Sequence, residues 1–327
     1  MRVGRRSALF LANTFIVGGS DTLPEALAAT YAPTEEEGVG TVPPLGITLE
    51  STAELQAKAL LAFEKRDFKE ATRVLSELVA REPKNEKWLE GRAQALLDGK
   101  AFTMALRDYD SALEIVRKRN DLNTQAEARL VAGRGLVHEG LYDWRNALTD
   151  YDTALRLTKE AGFVEDPYTL NSRGNVYSSL GMYEEARRDF LQSSEYFQTA
   201  KGFKTNKKLD GSIYASSNAA LMLAQLGDIP GAIKEVERVR RRAPNSADMR
   251  AALAAMYWSQ GRGADAEDIW EYACNNVLEG CANYRNSDWL SRIRRWPPVM
   301  VNLMDKFLRA ELLQSTSYAL LESDIYF

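Results

Sequence analysis

The residues of this chain best equipped for chemistry are amides, hydroxyls and tyrosines. Asn171 and Asn175 stand four residues apart, with Tyr168 and Ser178 beside them and Tyr214, Ser217 and Asn218 further on. An asparagine amide both donates to and accepts from an extended peptide backbone, and a tyrosine offers flat apolar area with a hydroxyl at its rim. The set is suited to holding a peptide segment, with Gln94 and Arg129 extending it toward the N-terminus. The same two asparagines could instead cap or bridge neighbouring helices, since local side-chain to backbone bonds are common. Enzyme chemistry is poorly served. The single histidine, His138, lies in register with Leu96, Tyr177, Leu223 and Tyr257, a slot that faces an apolar interior. A general base also needs a nucleophile or carboxylate at hydrogen-bond distance. No phosphate-binding glycine loop, catalytic cysteine motif or zinc-binding His-Glu motif occurs. No catalytic residue, cofactor or metal is therefore expected. Cys274 and Cys281 are seven residues apart. Along an unbroken helix this is about 10.5 Å, too far for a disulfide. Two buried small apolar side chains are the default, and a chain reversal at Gly280 would make a bond feasible.

These residues must be positioned by repeating elements. Ala71, Ala105, Ala147, Ala186, Ala232 and Ala266 each open an apolar helical run, at spacings of 34, 42, 39, 46 and 34. Twelve residues before each stands another small residue: Ala59, Ala93, Gly135, Gly174, Ala220 and Ala254. Four residues after each comes a bulky one: Leu75, Tyr109, Tyr151, Phe190, Val236 and Trp270. Small residues let two helices approach closely, and a bulky one a turn later fills the space beside them. Glycines at 181, 227 and 261 suit a left-handed turn between the helices. A 34-residue period with this pattern resembles the tetratricopeptide repeat, a helical hairpin that buries its apolar face only by stacking on neighbours. The resemblance implies an all-α, right-handed superhelical solenoid of six hairpins, at 52–85, 86–119, 128–161, 167–200, 213–246 and 247–280, forming one folded domain. Its first helices line a concave face, which carries the amides and tyrosines above. Cochaperone repeats of this kind need Lys and Arg beside their asparagines to pair a terminal carboxylate. Here the aligned positions are Ala132, Leu136, Asp248 and Ala252, which argues against that use.

Three longer spacings leave insertions at 120–127, 162–166 and 201–212. The first could extend a helix. The last, with Lys201, Lys204, Lys207 and Lys208, reads as a solvated basic loop, or as a contact for an acidic partner. A composition 45% hydrophobic and 27% charged, with a pI near 5.4, describes a helical protein without the basic face of a nucleic-acid binder. No run approaches the roughly 20 apolar residues needed to cross a membrane. Peripheral membrane association remains compatible with that.

Residues 1–28 read as a targeting signal. Arg5 and Arg6 precede a mostly apolar run from Ala8 to Val17, and Ala26-Leu27-Ala28 is a small-x-small cleavage pattern, similar to a twin-arginine export signal. Residues 29–51 are a Pro/Gly/Glu linker, and Ser51 or Thr52, with Glu54, would cap the first helix. In residues 281–327, Arg294-Arg295-Trp296-Pro297-Pro298 breaks an incoming helix and presets a new one. Val299, Met300, Leu303, Met304, Phe307 and Leu308 then form the stripe of a capping helix, with a loose tail after Leu313. Repeats ending in this Trp-Pro-Pro segment resemble the tetratricopeptide proteins of cyanobacteria and the chloroplast thylakoid lumen. That resemblance implies a lumen protein linked to assembly or maintenance of a photosynthetic complex, with a photosystem subunit or assembly intermediate as partner. The alternative function is a cytosolic or stromal regulatory adaptor or co-chaperone that is never exported; the alternative compartments to the lumen are the stroma, the bacterial periplasm, also reached by twin-arginine export, and the cytosol.

Overall fold

The computed structural model describes residues 50–119, 123–199, 205–277 and 281–323, with side chains described for all of these but 205–209 and 311–323. The expected export signal, nearly all of the linker, Lys201 and Lys204 lie outside the described residues.

Among the described residues the regular structure is helical. Six antiparallel pairs follow one another: α1 (Thr52–Glu64) with α2 (Phe68–Arg81), α3 (Glu86–Asp98) with α4 (Phe102–Lys118), and α5 (Thr124–Gly140) with α6 (Trp144–Glu160). Then come α7 (Pro167–Ser179) with α8 (Tyr183–Thr199), α9 (Thr205–Gln225) with α10 (Ile229–Arg242), and α11 (Ala247–Ser259) with α12 (Gly263–Asn276). A 3₁₀ turn (Asn283–Arg285) and a π turn (Trp289–Ile293) lead to the last helix, α13 (Pro298–Ser323).

Local chemistry sets the helix ends. Ser51 and Glu54 form a reciprocal capping box, the Ser51 hydroxyl accepting from the Glu54 N–H at 3.2 Å and the Glu54 carboxylate from the Ser51 N–H at 2.7 Å. Asp67, Asn85, Asn123, Asp143, Asp228 and Ser246 each accept an orphan N–H at a later helix start. Every turn between paired helices places one residue at positive φ. In the last three pairs it is Gly181, Gly227 and Gly261; in the first three the same register holds Arg66, Lys100 and Tyr142.

The marker alanines are all fully buried, as their register requires. Where the facing small residue is glycine, an aromatic ring occupies the place of its missing Cβ. A Cβ on Gly135 would meet the Tyr151 ring at 2.8 Å, and one on Gly174 the Phe190 ring at 2.8 Å. The same device joins successive hairpins, with Tyr109 against Gly133 and Phe197 against Gly211, each at 2.6 Å.

Three expectations are corrected. Residues from Thr205 onward are helix, so Lys207 and Lys208 stand on the extended start of α9 and not in a loop. The buried Phe197 ring seats against Gly211, which gives that extension something to pack on. The tail after Leu313 is also helical, since α13 continues to Ser323. Of the 120–127 insertion, 124–127 are helical as the first turn of α5, while α4 ends at Lys118 without extending past its end, and 120–122 lie outside the described residues. The array also divides into two compact units where one was expected, the boundary falling between Thr169 and Leu170 in the first turn of α7. In the first unit α1 to α6 pack each on the next. In the second, one core runs from Ala186 to Phe307 and includes Met300, Met304 and Phe307 of the capping stripe.

Gly174→Ala is therefore expected to destabilise the protein by about 1–3 kcal/mol through overpacking against Phe190. Adding Phe190→Leu should recover part of the loss, as read by the denaturant midpoint at constant m-value.

Candidate functional site

Within the second unit the first-helix face is already engaged by a segment of the same chain. After the π turn, Arg294 is still helical in backbone, Arg295 takes φ 56°, and the irregular stretch from Arg294 to Pro297, a strap, crosses α9 and α11 before α13 begins. Arg294 is only 5% exposed and grips Asp248 with two bonds, Nε to Oδ1 at 2.8 Å and Nη2 to Oδ2 at 2.6 Å. Its Nη1 donates to Asn218 Oδ1 at 3.0 Å, and its guanidinium lies 5.1 Å from the Tyr214 ring centroid. The Trp296 indole N–H donates to Asp248 Oδ1 at 3.2 Å, and the Val299 N–H to Gln225 Oε1 at 2.8 Å. Burial alone would lower the Arg294 pKa, and the neighbouring Asp248 carboxylate more than reverses that, holding the guanidinium firmly charged. Tyr284 packs beside them at 5.9 Å from the Trp296 ring, with burial and then Asp248 pushing its hydroxyl pKa well up.

Of the residues expected to hold a peptide, Tyr214 and Asn218 are brought together, on Arg294. The others are placed as follows. Ser217 is buried and donates back to the Ile213 carbonyl at 2.8 Å. Asn171 and Asn175 share the inner side of α7, both buried. Asn171, 4% exposed, has an Oδ1 atom with no hydrogen-bond partner. Ser178 and Tyr168 are half-buried, Tyr168 belonging to the first unit. There Gln94 donates to Asp98 Oδ2 at 3.2 Å, and Arg129 pairs with Glu90 at 2.6 and 2.9 Å. The expectation that Asn171, Asn175, Ser217 and Asn218 are exposed is thus corrected. The inner side of a first helix is enclosed by its neighbours, and at Asn218 by the strap as well.

Sequence reasoning missed three buried ion pairs that share one register. Arg92 with Asp108, Arg134 with Asp150 and Arg173 with Asp189 each form two bonds of 2.7–2.9 Å between the helices of a hairpin. The legible signal was an Arg just before the small residue and an Asp three after the marker alanine. His138 sits near two carboxylates, 3.6 Å from Asp143 and 3.8 Å from Asp150, but Asp150 is committed to Arg134. Among the described residues no group of three metal-ligating side chains comes together, and no helix is long and apolar enough to cross a membrane. Cys274 and Cys281 are joined in a disulfide with Cα atoms 4.7 Å apart, which overturns the default of two free thiols. The reason is that α12 ends at Asn276 and Val277 turns extended, so the seven-residue separation is not helical.

Hairpins with alternating small and bulky registers, stacked in series, define an α-solenoid of the tetratricopeptide type. The family model for the tetratricopeptide repeat matches residues 57–121 and 218–274. Human tetratricopeptide repeat protein 6 is 31% identical over 124 residues, which are 37% of this chain and 19% of that protein, so the chain spans about a fifth of that relative. Among solved structures, the Cut9–Hcn1 hetero-tetramer of the APC/C aligns with TM-score 0.57 at 15% identity, over 92% of this chain and 48% of that one. Apo RapI aligns with TM-score 0.57 at 14% identity, over 77% and 93%. A tetratricopeptide repeat protein from Parabacteroides merdae aligns with TM-score 0.54 at 19% identity, over 79% and 92%. At these identities the likeness is one of fold.

Two predictions follow from the geometry. Asp248→Ala leaves a buried guanidinium uncompensated and is expected to cost about 3–5 kcal/mol. The double variant Asp248→Leu, Arg294→Met should restore most of it in a denaturant-based mutant cycle. Asp98, half-buried beside Gln94, has its pKa raised to about 6, chiefly by burial, with the Gln94 bond and the Arg66 charge opposing. The folded state therefore prefers the neutral acid, and the penalty grows as pH rises from about 4 to 6. Asp98→Asn should match the natural protein near pH 3.5 and exceed it above pH 6 by up to about 3 kcal/mol, read from unfolding at each pH.

Proposed function

We propose that this protein is a non-catalytic scaffold for protein–protein interaction whose first-helix face holds an extended segment of a partner protein. One observation carries the reading: that face already holds a segment from outside the repeats, the chain's own Arg294–Val299, through an amide, a tyrosine ring, a glutamine and a carboxylate. The unpartnered Asn171 Oδ1 supports a second holding point, because a backbone N–H from a partner would satisfy a buried acceptor that otherwise carries a desolvation penalty. Asn171 and Asn175, with Ser178 on the same helix and in the same unit, are the proposed clamp.

The proposed setting is the thylakoid lumen, where the partner would be a photosystem subunit or an assembly intermediate. The Cys274–Cys281 disulfide supports an oxidising compartment. The Arg5-Arg6 start with Ala26-Leu27-Ala28 supports export into it.

Cross-linking and affinity capture from gently solubilised thylakoid membranes, with N-terminal sequencing of the recovered protein, test this. The expected result is a mature start near Ala29 and one defined partner, lost from an Asn171→Ala, Asn175→Ala variant of unchanged helicity. Partners that persist in the variant would move the site elsewhere. An intact Met1 in a soluble stromal or cytosolic pool would favour the regulatory adaptor.

A further inference from the structure

A second polar site lies away from the strap, among α8, α9 and α10. Four residues before the small residue of the first helix, the first four hairpins have Leu55, Leu89, Val131 and Leu170, all buried core residues, and the sixth has the buried Arg250. In the fifth hairpin that position is Ser216. Eight residues after the marker alanine stand Leu113 and Leu155 in the second and third hairpins, both buried, and Ser194 in the fourth. Two leucine positions that would meet between hairpins are thus serines, and their hydroxyls lie 2.7 Å apart. A third hydroxyl, Ser212, is 3.0 Å from Ser194. It occupies the register of the helix caps Ser51, Asn85 and Ser246, but α9 begins seven residues earlier, so it is fully buried within the helix.

Replacing leucines by serines removes volume and leaves hydroxyls in its place. A cleft of about 420 Å³ opens there, lined by Ser194, Ser216, Gln198, Arg238 and Arg242 among others. Both Nη atoms of Arg242 lie 3.5 Å from Ser212 Oγ. Arg238 and Arg242 are one turn apart on α10, and neither forms an ion pair among the described residues. Two carboxylates also line the cleft. Glu235 is taken up by Arg187 with two bonds of 2.7 and 2.9 Å, and Glu195 accepts from Gln192 at 3.4 Å. The two guanidinium groups therefore outweigh the one carboxylate left without a cationic partner.

We propose that this cleft binds a phosphate-type oxyanion, with the Arg238 and Arg242 guanidinium groups as charged donors and the Ser216 hydroxyl as a neutral one. The Gln198 amide donates to the Ser194 carbonyl at 3.1 Å and to its hydroxyl at 3.3 Å, and the Ser194 hydroxyl to the Ser212 carbonyl at 3.2 Å, so these groups shape the cleft wall. Guanidinium groups match the geometry and charge of such an anion, and hydroxyls complete its hydrogen bonds. A departure from the core register at several positions that converge on one cleft is also where local consistency gives way to function.

Titration calorimetry of the full chain tests the site with two probes, sodium phosphate and O-phosphoserine, each against sodium chloride at matched ionic strength. Saturable binding of inorganic phosphate is expected if the anion is free, and tighter binding of O-phosphoserine if it is carried on a larger molecule; either supports the site. Arg238→Gln with Arg242→Gln should weaken binding at least tenfold. Ser194→Leu with Ser216→Leu, which restores the chain's own core register, should abolish it while thermal stability holds or rises. Should the leucine variant fail to fold, the arginine variant decides. No saturable binding of either probe, or affinity unchanged by the arginine pair, would overturn the proposal. This test is independent of the partner-capture experiment, because neither variant touches the strap or Asn171.

Discussion

The structure depends on how closely the two helices of each hairpin can approach. A helical hairpin cannot bury its apolar face alone, so its stability comes from its own closed interface and from its neighbours. The approach is set by one small residue on the first helix facing the buried alanine register of the second. At Gly135 and Gly174 the gap left by the absent Cβ is taken by Tyr151 and Phe190, which makes glycine there a packing requirement and not a source of flexibility. A conformational penalty of about 1 kcal/mol for glycine inside a helix is accepted because the ring buried against it contributes more.

Around that contact the chain places charges in a disciplined way. The pairs Arg92–Asp108, Arg134–Asp150 and Arg173–Asp189 span the two helices of their hairpins, with every main acceptor satisfied by a two-pronged guanidinium. Such pairs contribute little net stability when their desolvation is counted, but losing one partner is expensive. Their effect is to penalise a slipped register, since a displaced helix would strand a carboxylate. The second unit ends on the same principle. Arg294 and Asp248 join the strap to α11, while Trp270 and Phe307 meet edge to face, with ring centroids 5.8 Å apart, to close the apolar end.

Much of the fold was legible because it is periodic. Alanine and glycine spacing located the hairpins, and the bulky residue four beyond each marker located their fillers. Pro297 and Pro298 located the start of α13. The breaks in period were harder. Thr205 to Asp210 contains no proline or glycine, yet lysines there and the following Gly211 suggested a loop; the deciding fact is the seat of Phe197 on Gly211. The turn register was half visible, since glycine marks a positive φ and Arg66, Lys100 and Tyr142 do not. The register put Tyr214 and Asn218 on one face, and both meet Arg294. It could not show that Arg294, 76 residues beyond Asn218, would reach them, because the strap lies outside the repeat.

The strap also orders the parts of the first-helix face by how readily each could receive a partner. To enter at Tyr214 and Asn218, a partner must displace Arg294 and supply an equivalent cation to Asp248, or leave that carboxylate unpaired in a site from which water is largely excluded. The disulfide at Cys274–Cys281 sits at the root of the strap and shortens the free chain leading to it, which keeps the effective concentration of Arg294 high. A partner bound in trans competes against that local concentration. No such competitor stands at Asn171, whose Oδ1 atom is buried without a hydrogen-bond partner. For the proposed binding of an outside segment, α7 would thus need no displacement of the strap, although Asn171 and Asn175 are themselves buried, while the strapped hairpins close the end of the second unit.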